Sequence, residues 1–212
     1  MSIIHLPIAS DQRKDKTMRF VRGLTAGRGL MTFVLATTLI PSVGAQAAAT
    51  TPIEPSRTSV EFVVDGVGWP RTKGRFTAFS GKIAVDLKRP ETSSVSFRVA
   101  AKSVDVGSPS FDDFLRETFF DVAEHPDITF VSSAVEKLDD RHARVTGDLT
   151  LRGVTRPFTV NVEVGRAGNQ RRLDFRATGI VHRLEFGMNA GFPAISNDVD
   201  LIITTGAEPE TE

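Results

Sequence analysis

Apolar and polar residues alternate along most of the chain between residues 58 and 207, and this period of two predicts a series of β-strands. The alternation is clearest in the segments 144–151 and 158–164. Turn sequences such as Lys88–Pro90 and Asp139–Arg141 separate the strands, and connections this short join antiparallel neighbours. Glycines inside the strand patterns favour a barrel over a sandwich, because they often mark bends at barrel corners or the close approach of another chain or a ligand. They are Gly74, Gly81, Gly147 and Gly179. We therefore predict an all-β fold, an antiparallel β-barrel of about eight strands.

The segment 110–118 breaks this alternation and predicts a short helix with an aromatic face. Its apolar residues are spaced so that their side chains share one side of a helix. The positions i, i+3, i+4 and i+7 are Phe111, Phe114, Leu115 and Thr118. His125–Pro126 ends this region, and from Asp127 the period returns to two. We expect one short helix to pack against the β-structure.

The first 47 residues carry the pattern of a cleavable export signal. Basic residues precede the apolar run Leu30–Ile40, and Pro41 and the small-x-small sequence Ala45–Ala47 follow it. The run is shorter than the roughly 20 apolar residues of a membrane-spanning helix. A start at Met18 would give a signal of conventional length, and the lack of an Arg-Arg pair favours Sec export. The predicted organisation is a signal peptide at 1–47, a flexible leader at 48–57, a barrel at 58–207 and an acidic tail at 208–212.

Composition and charge narrow the function classes. The chain has no Cys, which excludes disulfides, thiol catalysis and thiolate metal sites. Residues 1–47 hold six basic and two acidic residues, so the remaining chain has 20 basic and 24 acidic residues and a net charge of −4. This charge argues against a nucleic-acid partner. The His residues of the chain are not spaced as metal ligands, and the sequence contains no P-loop and no Gly-x-Ser-x-Gly motif. We expect no metal, no cofactor and no enzymatic activity.

Several motifs together resemble the YceI family over nearly the whole predicted barrel. They are Phe76–Gly81 (FTAFSG), Phe119–Asp121 (FFD), Gly147–Pro157 (GDLTLRGVTRP), Arg183 and Phe186–Gly187. The resemblance implies a lipocalin-like antiparallel barrel in a periplasmic protein. It also implies that an apolar lumen binds long isoprenoid or similar lipids, a ligand class that the strand periods alone do not specify.

Aromatic residues at inward-facing or helical positions are the candidates for the lumen wall, because Phe and Leu provide broad apolar surface without a polar group. They are Phe62, Phe76, Phe97, Phe111, Phe114, Leu115, Phe119 and Phe130. A phase error of one residue would exchange the inner and outer faces of a strand. Arg183, at the end of an apolar-faced strand, is expected to anchor a loop through a carboxylate or to contact a ligand head group, and the anchor is favoured.

The resemblance and the residues together predict a periplasmic protein that carries or sequesters a long-chain isoprenoid, polyprenyl or quinone-like. Binding of a fatty acid or fatty amide is an alternative, and so is an envelope adaptor whose own Phe side chains fill the barrel. An enzyme acting on a lipid would need a base and a nucleophile that converge in the lumen. The sequence leaves open whether two barrels associate and whether the protein contacts a membrane transiently.

Overall fold

The computed structural model of the protein describes residues 50–167 and 172–207, and eleven β-strands occur among them. The predicted signal peptide, the start of the leader and the acidic tail lie outside these residues. The strands are β1 (Thr50–Pro52), β2 (Ser59–Gly66), β3 (Trp69–Phe76), β4 (Phe79–Ala84), β5 (Ser94–Ala100), β6 (Val104–Asp105), β7 (Asp127–Lys137), β8 (His142–Leu151), β9 (Val154–Ala167), β10 (Arg172–His182) and β11 (Ile195–Ala207). Single turns of 3-10 helix lie at Pro55–Arg57, Pro90–Thr92, Ala101–Ser103 and Arg183–Phe186.

The described strands form a closed antiparallel barrel. Closure depends on two long strands, each of which continues across a bend: β3 continues into β4, and β5 continues into β6. Only Thr77–Ala78 separates β3 from β4, and only the turn Ala101–Ser103 separates β5 from β6. At the bend, the Thr77 N–H donates to the Ser103 carbonyl (3.1 Å) and the Ala100 N–H donates to the Ala78 carbonyl (3.0 Å). The continuous strand β3–β4 pairs with β2 on one edge and with β5–β6 on the other. Pairing then runs through β7, β8, β9, β10 and β11 back to β2.

This ring contains eight long strands, with β1 added at the edge of β4. The predicted all-β antiparallel barrel is confirmed. The eleven strand segments exceed the predicted number because two long strands are interrupted at the bend and because the leader contributes β1.

The alternation in the sequence also gives the correct inner face. In β8, Val145, Leu149 and Leu151 are buried, whereas Arg144 and Asp148 are exposed. Strand β7 changes face partway, because a bulge shifts its register against β8 between Ser132 and Ala134. Simple alternation after Ser132 would turn Ala134 inward, but Val135 packs against the core instead.

The glycines that favoured a barrel lie where neighbouring atoms leave no room for a side chain. A Cβ atom at Gly179 would lie 2.7 Å from Phe158 Cζ, and one at Gly81 would lie 2.7 Å from Ile53 Cδ1. Similar collisions, with Phe62 and with the Val131 carbonyl, would occur at Gly74 and Gly147. These glycines are therefore points of close approach, and the approaching atoms belong to neighbouring residues of the same chain.

The helix α1 (Pro109–Phe114) begins one residue before the predicted segment and continues as a turn of π-helix at Leu115–Phe120. Its buried face differs from the predicted one. Asp112, Leu115 and Phe119 are buried, whereas Phe114 is 44% exposed. The buried residues lie at i, i+3 and i+7 counted from Asp112, so the inward face of the helix is rotated by about one residue from the predicted face. Buried Asp112 accepts a hydrogen bond from the Val106 N–H (2.7 Å) and so ties α1 to the end of β6.

The alternating strand directions give the barrel two different ends. The first, called the helix end here, carries α1, the β8–β9 turn and the segment 183–194. The second, called the mouth end, carries the loop 85–93 between β4 and β5 and the hairpin 138–141 between β7 and β8. Among the described residues, no helix has the length and apolar character needed to cross a membrane.

Candidate functional site

A cavity of about 250 Å³ lies inside the barrel and has an almost entirely hydrocarbon wall. The wall is built from the inward positions of most strands, which the alternation places on one face. The lining side chains include Val60, Phe76, Phe97, Phe130, Val145, Leu149, Phe158, Val160, Ala177, Leu201 and Ile203. A cavity with this wall can hold an apolar chain and offers few groups for hydrogen bonding inside.

The helix end of the barrel is filled by packed aromatic rings. Phe76 lies between Phe62 and Phe120, with centroid distances of 5.6 Å to each ring. Phe119 is buried and packs edge-on against Phe114 at 5.7 Å. Such pairs contribute on the order of 1 kcal/mol each beyond area burial. The helix end is therefore a closed floor of the barrel.

Arg183 is buried beneath this floor, with 2% of its surface exposed. Its guanidinium donates to the carbonyl oxygens of Ser196 (2.7 Å), Ile195 (2.7 Å), Ala190 (3.0 Å) and Met188. These four carbonyls belong to the segment that leads from the 3-10 turn at 183–186 into β11.

The environment of Arg183 keeps its charge away from the cavity. Its Cζ atom also lies 5.6 Å from the Phe119 ring centre. Burial lowers the pKa of Arg183 from its ordinary value, although an Arg side chain stays protonated in proteins. Arg183 is thus a loop anchor, but its partners are backbone carbonyls and not the expected carboxylate. The alternative, a contact between Arg183 and a ligand head group, stays a prediction.

Asp86 shapes the loop 85–93 at the mouth end. Its Oδ1 accepts hydrogen bonds from the backbone N–H groups of Lys88 (2.9 Å) and Arg89 (2.8 Å). Its Oδ2 accepts from Thr92 Oγ1 (3.1 Å) and pairs with Arg89 Nη2 (3.2 Å). One carboxylate therefore holds both halves of the loop in a single conformation.

Leu87 marks the place where the cavity reaches solvent. Its side chain is part of the cavity wall, and yet it is 58% exposed. Pro90, in the same loop, also lines the cavity. The apolar wall thus continues from the lumen to the surface at the loop 85–93.

Ile53 closes part of the wall from outside the eight-stranded ring. It follows β1, is 6% exposed and lines the cavity. Its N–H donates to the Gly81 carbonyl (3.0 Å). Gly81 has no side chain, so the Ile53 side chain can lie directly over the β4 backbone.

Three of the predicted wall residues line the cavity: Phe76, Phe97 and Phe130. The other candidates lie outside the cavity wall, because the helix end is filled by its own side chains. Phe62, Leu115 and Phe119 are buried there, and Phe111 and Phe114 stack on each other at 6.1 Å nearer the surface. The role of all these residues in ligand binding stays a prediction.

The sequence-based candidates missed most of the aliphatic wall. Val160, Val162, Leu201 and Ile203 line the cavity, and they belong to the apolar positions that alternate along the predicted strands. Selecting Phe residues, together with Leu115 of the helix, excluded them. Ile53 carried no such signal, because it lies in a segment expected to be a flexible leader.

Among residues 50–167 and 172–207, no three His, Asp or Glu side chains are placed to hold a metal ion. Among the side chains that the structure describes, every buried nitrogen or oxygen atom has a hydrogen-bond partner. The expectation of no metal and no cofactor stays a prediction.

Acid should weaken the fold through Asp86. Its pKa is lowered from 3.8, chiefly by the hydrogen bond from the Arg89 N–H, with Thr92, the Lys88 N–H and the Arg89 charge adding to the effect. A carboxyl with a lowered folded-state pKa stabilises the fold above its unfolded-state pKa, and this stability is lost as the pH falls through the folded-state value. We expect wild-type protein to lose more unfolding free energy than Asp86→Asn between about pH 6 and about pH 2.5. Chemical denaturation at both pH values checks this, and equal losses would contradict it.

An antiparallel barrel that encloses an apolar lumen and is closed at one end by a helix and aromatic rings places the protein in the lipocalin-like class of β-barrels. Residues 52–207 match the family model of the YceI-like domain. The chain belongs to this family.

Relatives and solved structures agree with this assignment. The chain is 32% identical over 173 residues to Protein YceI of Escherichia coli O157:H7, a match that covers 78% of this chain and 90% of the relative. It superposes on Burkholderia cenocepacia BcnA with a TM-score of 0.68 and 25% identity, covering 73% of this chain and 99% of BcnA. It also superposes on a polyisoprenoid binding domain from Saccharophagus degradans, with a TM-score of 0.62, 16% identity and coverage of 77% and 99%.

Proposed function

We propose that this protein binds a long-chain isoprenoid lipid, polyprenyl or quinone-like, in the barrel lumen and carries or sequesters it in the periplasm. The observation that carries the proposal is the hydrocarbon wall of the cavity, which continues to the surface at Leu87. The Saccharophagus domain with the same fold is described as polyisoprenoid binding, and at 16% identity that likeness concerns the fold. The ligand class for this chain is inferred from the cavity.

The energetics of such binding depend on a lumen that exists before the ligand arrives. Burial of about 500 Å² of ligand hydrocarbon would contribute about 12 kcal/mol at about 25 cal/mol per Å². Association costs of about 4 to 15 kcal/mol offset much of that gain. The packed rings of the helix end and the hydrogen-bonded loop 85–93 fix both ends of the cavity, which lowers the cost of ordering the protein.

The chemistry of the cavity favours an isoprenoid over a fatty acid. A fatty acid would need a partner for its carboxylate, and the Arg183 guanidinium is occupied by four carbonyls below the floor. A carboxylate could lie only at the mouth, where the Asp86 carboxylate already holds the loop 85–93. The two cations of that loop, Lys88 and Arg89, are matched by its two anions, Asp86 and Glu91. An uncharged or weakly polar head group is better tolerated there.

The cavity also supports binding over an adaptor role, because the barrel's own Phe side chains leave about 250 Å³ unfilled. Family membership favours a binding protein over an enzyme. Periplasmic location rests on the export signal predicted for residues 1–47.

Competitive uptake from detergent tests the ligand class. The chain without residues 1–47 is mixed with radiolabelled polyprenol or radiolabelled palmitate in micelles and then separated by gel filtration. We expect about one polyprenol per barrel and displacement of it by ubiquinone, with little retention of palmitate. If only palmitate is retained, the ligand class is a fatty acid and the isoprenoid is ruled out. If neither lipid is retained, the proposal is contradicted.

A further inference from the structure

The loop 85–93, called the mouth loop from here on, presents an apolar tip to solvent at the entrance of the lumen. Leu87 is 58% exposed although it also lines the cavity. An exposed large apolar residue at a cavity entrance usually indicates an interaction site when it continues an apolar surface. Here the continuing surface is the lumen wall itself.

The mouth loop cannot easily withdraw Leu87 from solvent. The Asp86 carboxylate accepts hydrogen bonds from the two backbone N–H groups that follow Leu87. The Asp86 N–H donates to Ser93 Oγ (3.0 Å), which fastens the end of the loop to its beginning. The exposed position of Leu87 is therefore set by the loop conformation.

Another apolar side chain projects at the same end of the barrel. Leu138, in the hairpin between β7 and β8, is 44% exposed. Val135 and Ala143, which flank this hairpin, line the cavity. The entrance thus has an exposed Leu on the mouth loop and a further one on a neighbouring hairpin.

Anions and cations are equal in number within the mouth loop and within the hairpin segment 137–141. The mouth loop contains Asp86 and Glu91 as anions and Lys88 and Arg89 as cations. The segment 137–141 contains two cations and two anions as well, Lys137 and Arg141 with Asp139 and Asp140. These two segments neither attract an anionic bilayer over long range nor repel it. Binding to a lipid surface would depend on insertion of apolar side chains.

We propose that the mouth end docks on a lipid bilayer and that Leu87 inserts into it, so that the lumen and the hydrocarbon of the bilayer become continuous. This inference rests on the proposed function, because a water-insoluble chain must pass Leu87 to enter or leave the cavity. A bilayer is the partner whose interior matches the cavity wall chemically.

Vesicle flotation tests the docking. The mature chain is mixed with vesicles of phosphatidylcholine alone or of phosphatidylcholine with phosphatidylglycerol, and the floated protein is measured at low and high salt. We expect wild-type protein to float with both compositions and with little salt dependence. Leu87→Ser should lower the partition coefficient at least about tenfold, since one inserted Leu side chain is lost.

The matched control is Val67→Ser, because Val67 is 79% exposed and lies between β2 and β3 at the helix end. Its partition coefficient should stay within about twofold of wild type. The proposal would be overturned if both variants lost the same factor in partition coefficient, or if the Leu87→Ser protein floated as well as wild type. Wild-type protein that stays off both vesicles would also overturn it and leave a protein as the partner of the mouth.

Uptake of polyprenol from detergent is measured on the same wild-type preparation. Uptake without vesicle binding overturns the docking and keeps the proposed lipid ligand. Vesicle binding without polyprenol uptake contradicts the proposed ligand. The argument that a lipid passes between a bilayer and the lumen at the mouth end then fails as well. The failure of one claim is thereby separated from the failure of the other.

Discussion

Replacing Arg183 by Met should lower the free energy of unfolding by about 3 kcal/mol or more. The guanidinium supplies donors to four carbonyls in the segment 188–196, and it is 2% exposed. A Met side chain fills similar space but leaves these carbonyls without a donor. Each buried carbonyl that stays unpaired costs about 1 to 3 kcal/mol, less where water can reach it. Denaturant titration followed by circular dichroism measures the change.

Arg98→Met is the control for loss of an Arg at the surface. Arg98 pairs with Asp127 at 2.8 Å, and its side chain is 63% exposed. Its replacement should cost less than about 1 kcal/mol. Arg183→Lys should fall between the two, since an ammonium keeps the charge but cannot reproduce the planar fork of donors. Equal stability of the Arg183→Met and Arg98→Met proteins would refute the anchor.

Replacing Ala177 by Phe should weaken polyprenol binding about 100-fold while the barrel stays folded. Ala177 lies on the inward face of β10 and lines the cavity. A phenyl ring there would occupy space that the ligand needs. Exclusion of three or four ligand methylenes, at about 0.8 kcal/mol each, corresponds to about this loss of affinity. Equilibrium uptake from detergent micelles measures it.

Thr178→Phe provides the matched control on the next residue of the same strand. Side chains at successive positions of a strand point to opposite faces, so this ring lies outside the barrel. Its polyprenol affinity should equal that of wild type. Thermal unfolding should show that Ala177→Phe is as stable as wild type or more so, because the ring fills empty apolar space. Undiminished uptake by a folded Ala177→Phe protein would mean that the lipid binds elsewhere.

The barrel could be predicted from the sequence because a strand with one buried face has an apolar residue at every second position. In β8 the alternation of Val145, Leu149 and Leu151 with polar residues fixed both the element and its buried face. The alternation does not show where a strand bends or where its register shifts at a β-bulge. The bend at Thr77–Ala78 and the bulge after Ser132 depend on hydrogen bonds to neighbouring strands, which no local pattern reveals.

The candidate site was only partly predictable, for a related reason. Aromatic residues mark apolar surface, but sequence does not show whether a ring lines a space or fills it. Phe97 and Phe130 line the cavity, whereas Phe119 packs against other rings at the helix end. The bonds of Arg183 to distant carbonyls, and the position of Ile53 over Gly81, arise from the tertiary structure. The exposed Leu87 carries no sequence signal apart from its place in a turn.

Native mass spectrometry of the mature protein purified from its own cells tests the central claim most directly. The mass of the intact protein shows whether a molecule is bound. That molecule is then extracted with solvent and identified. A lumen that carries an isoprenoid predicts one polyprenyl or quinone-like molecule per barrel, which should be missing from the Ala177→Phe protein. Wild-type protein that is recovered empty and takes up no added isoprenoid would contradict the account.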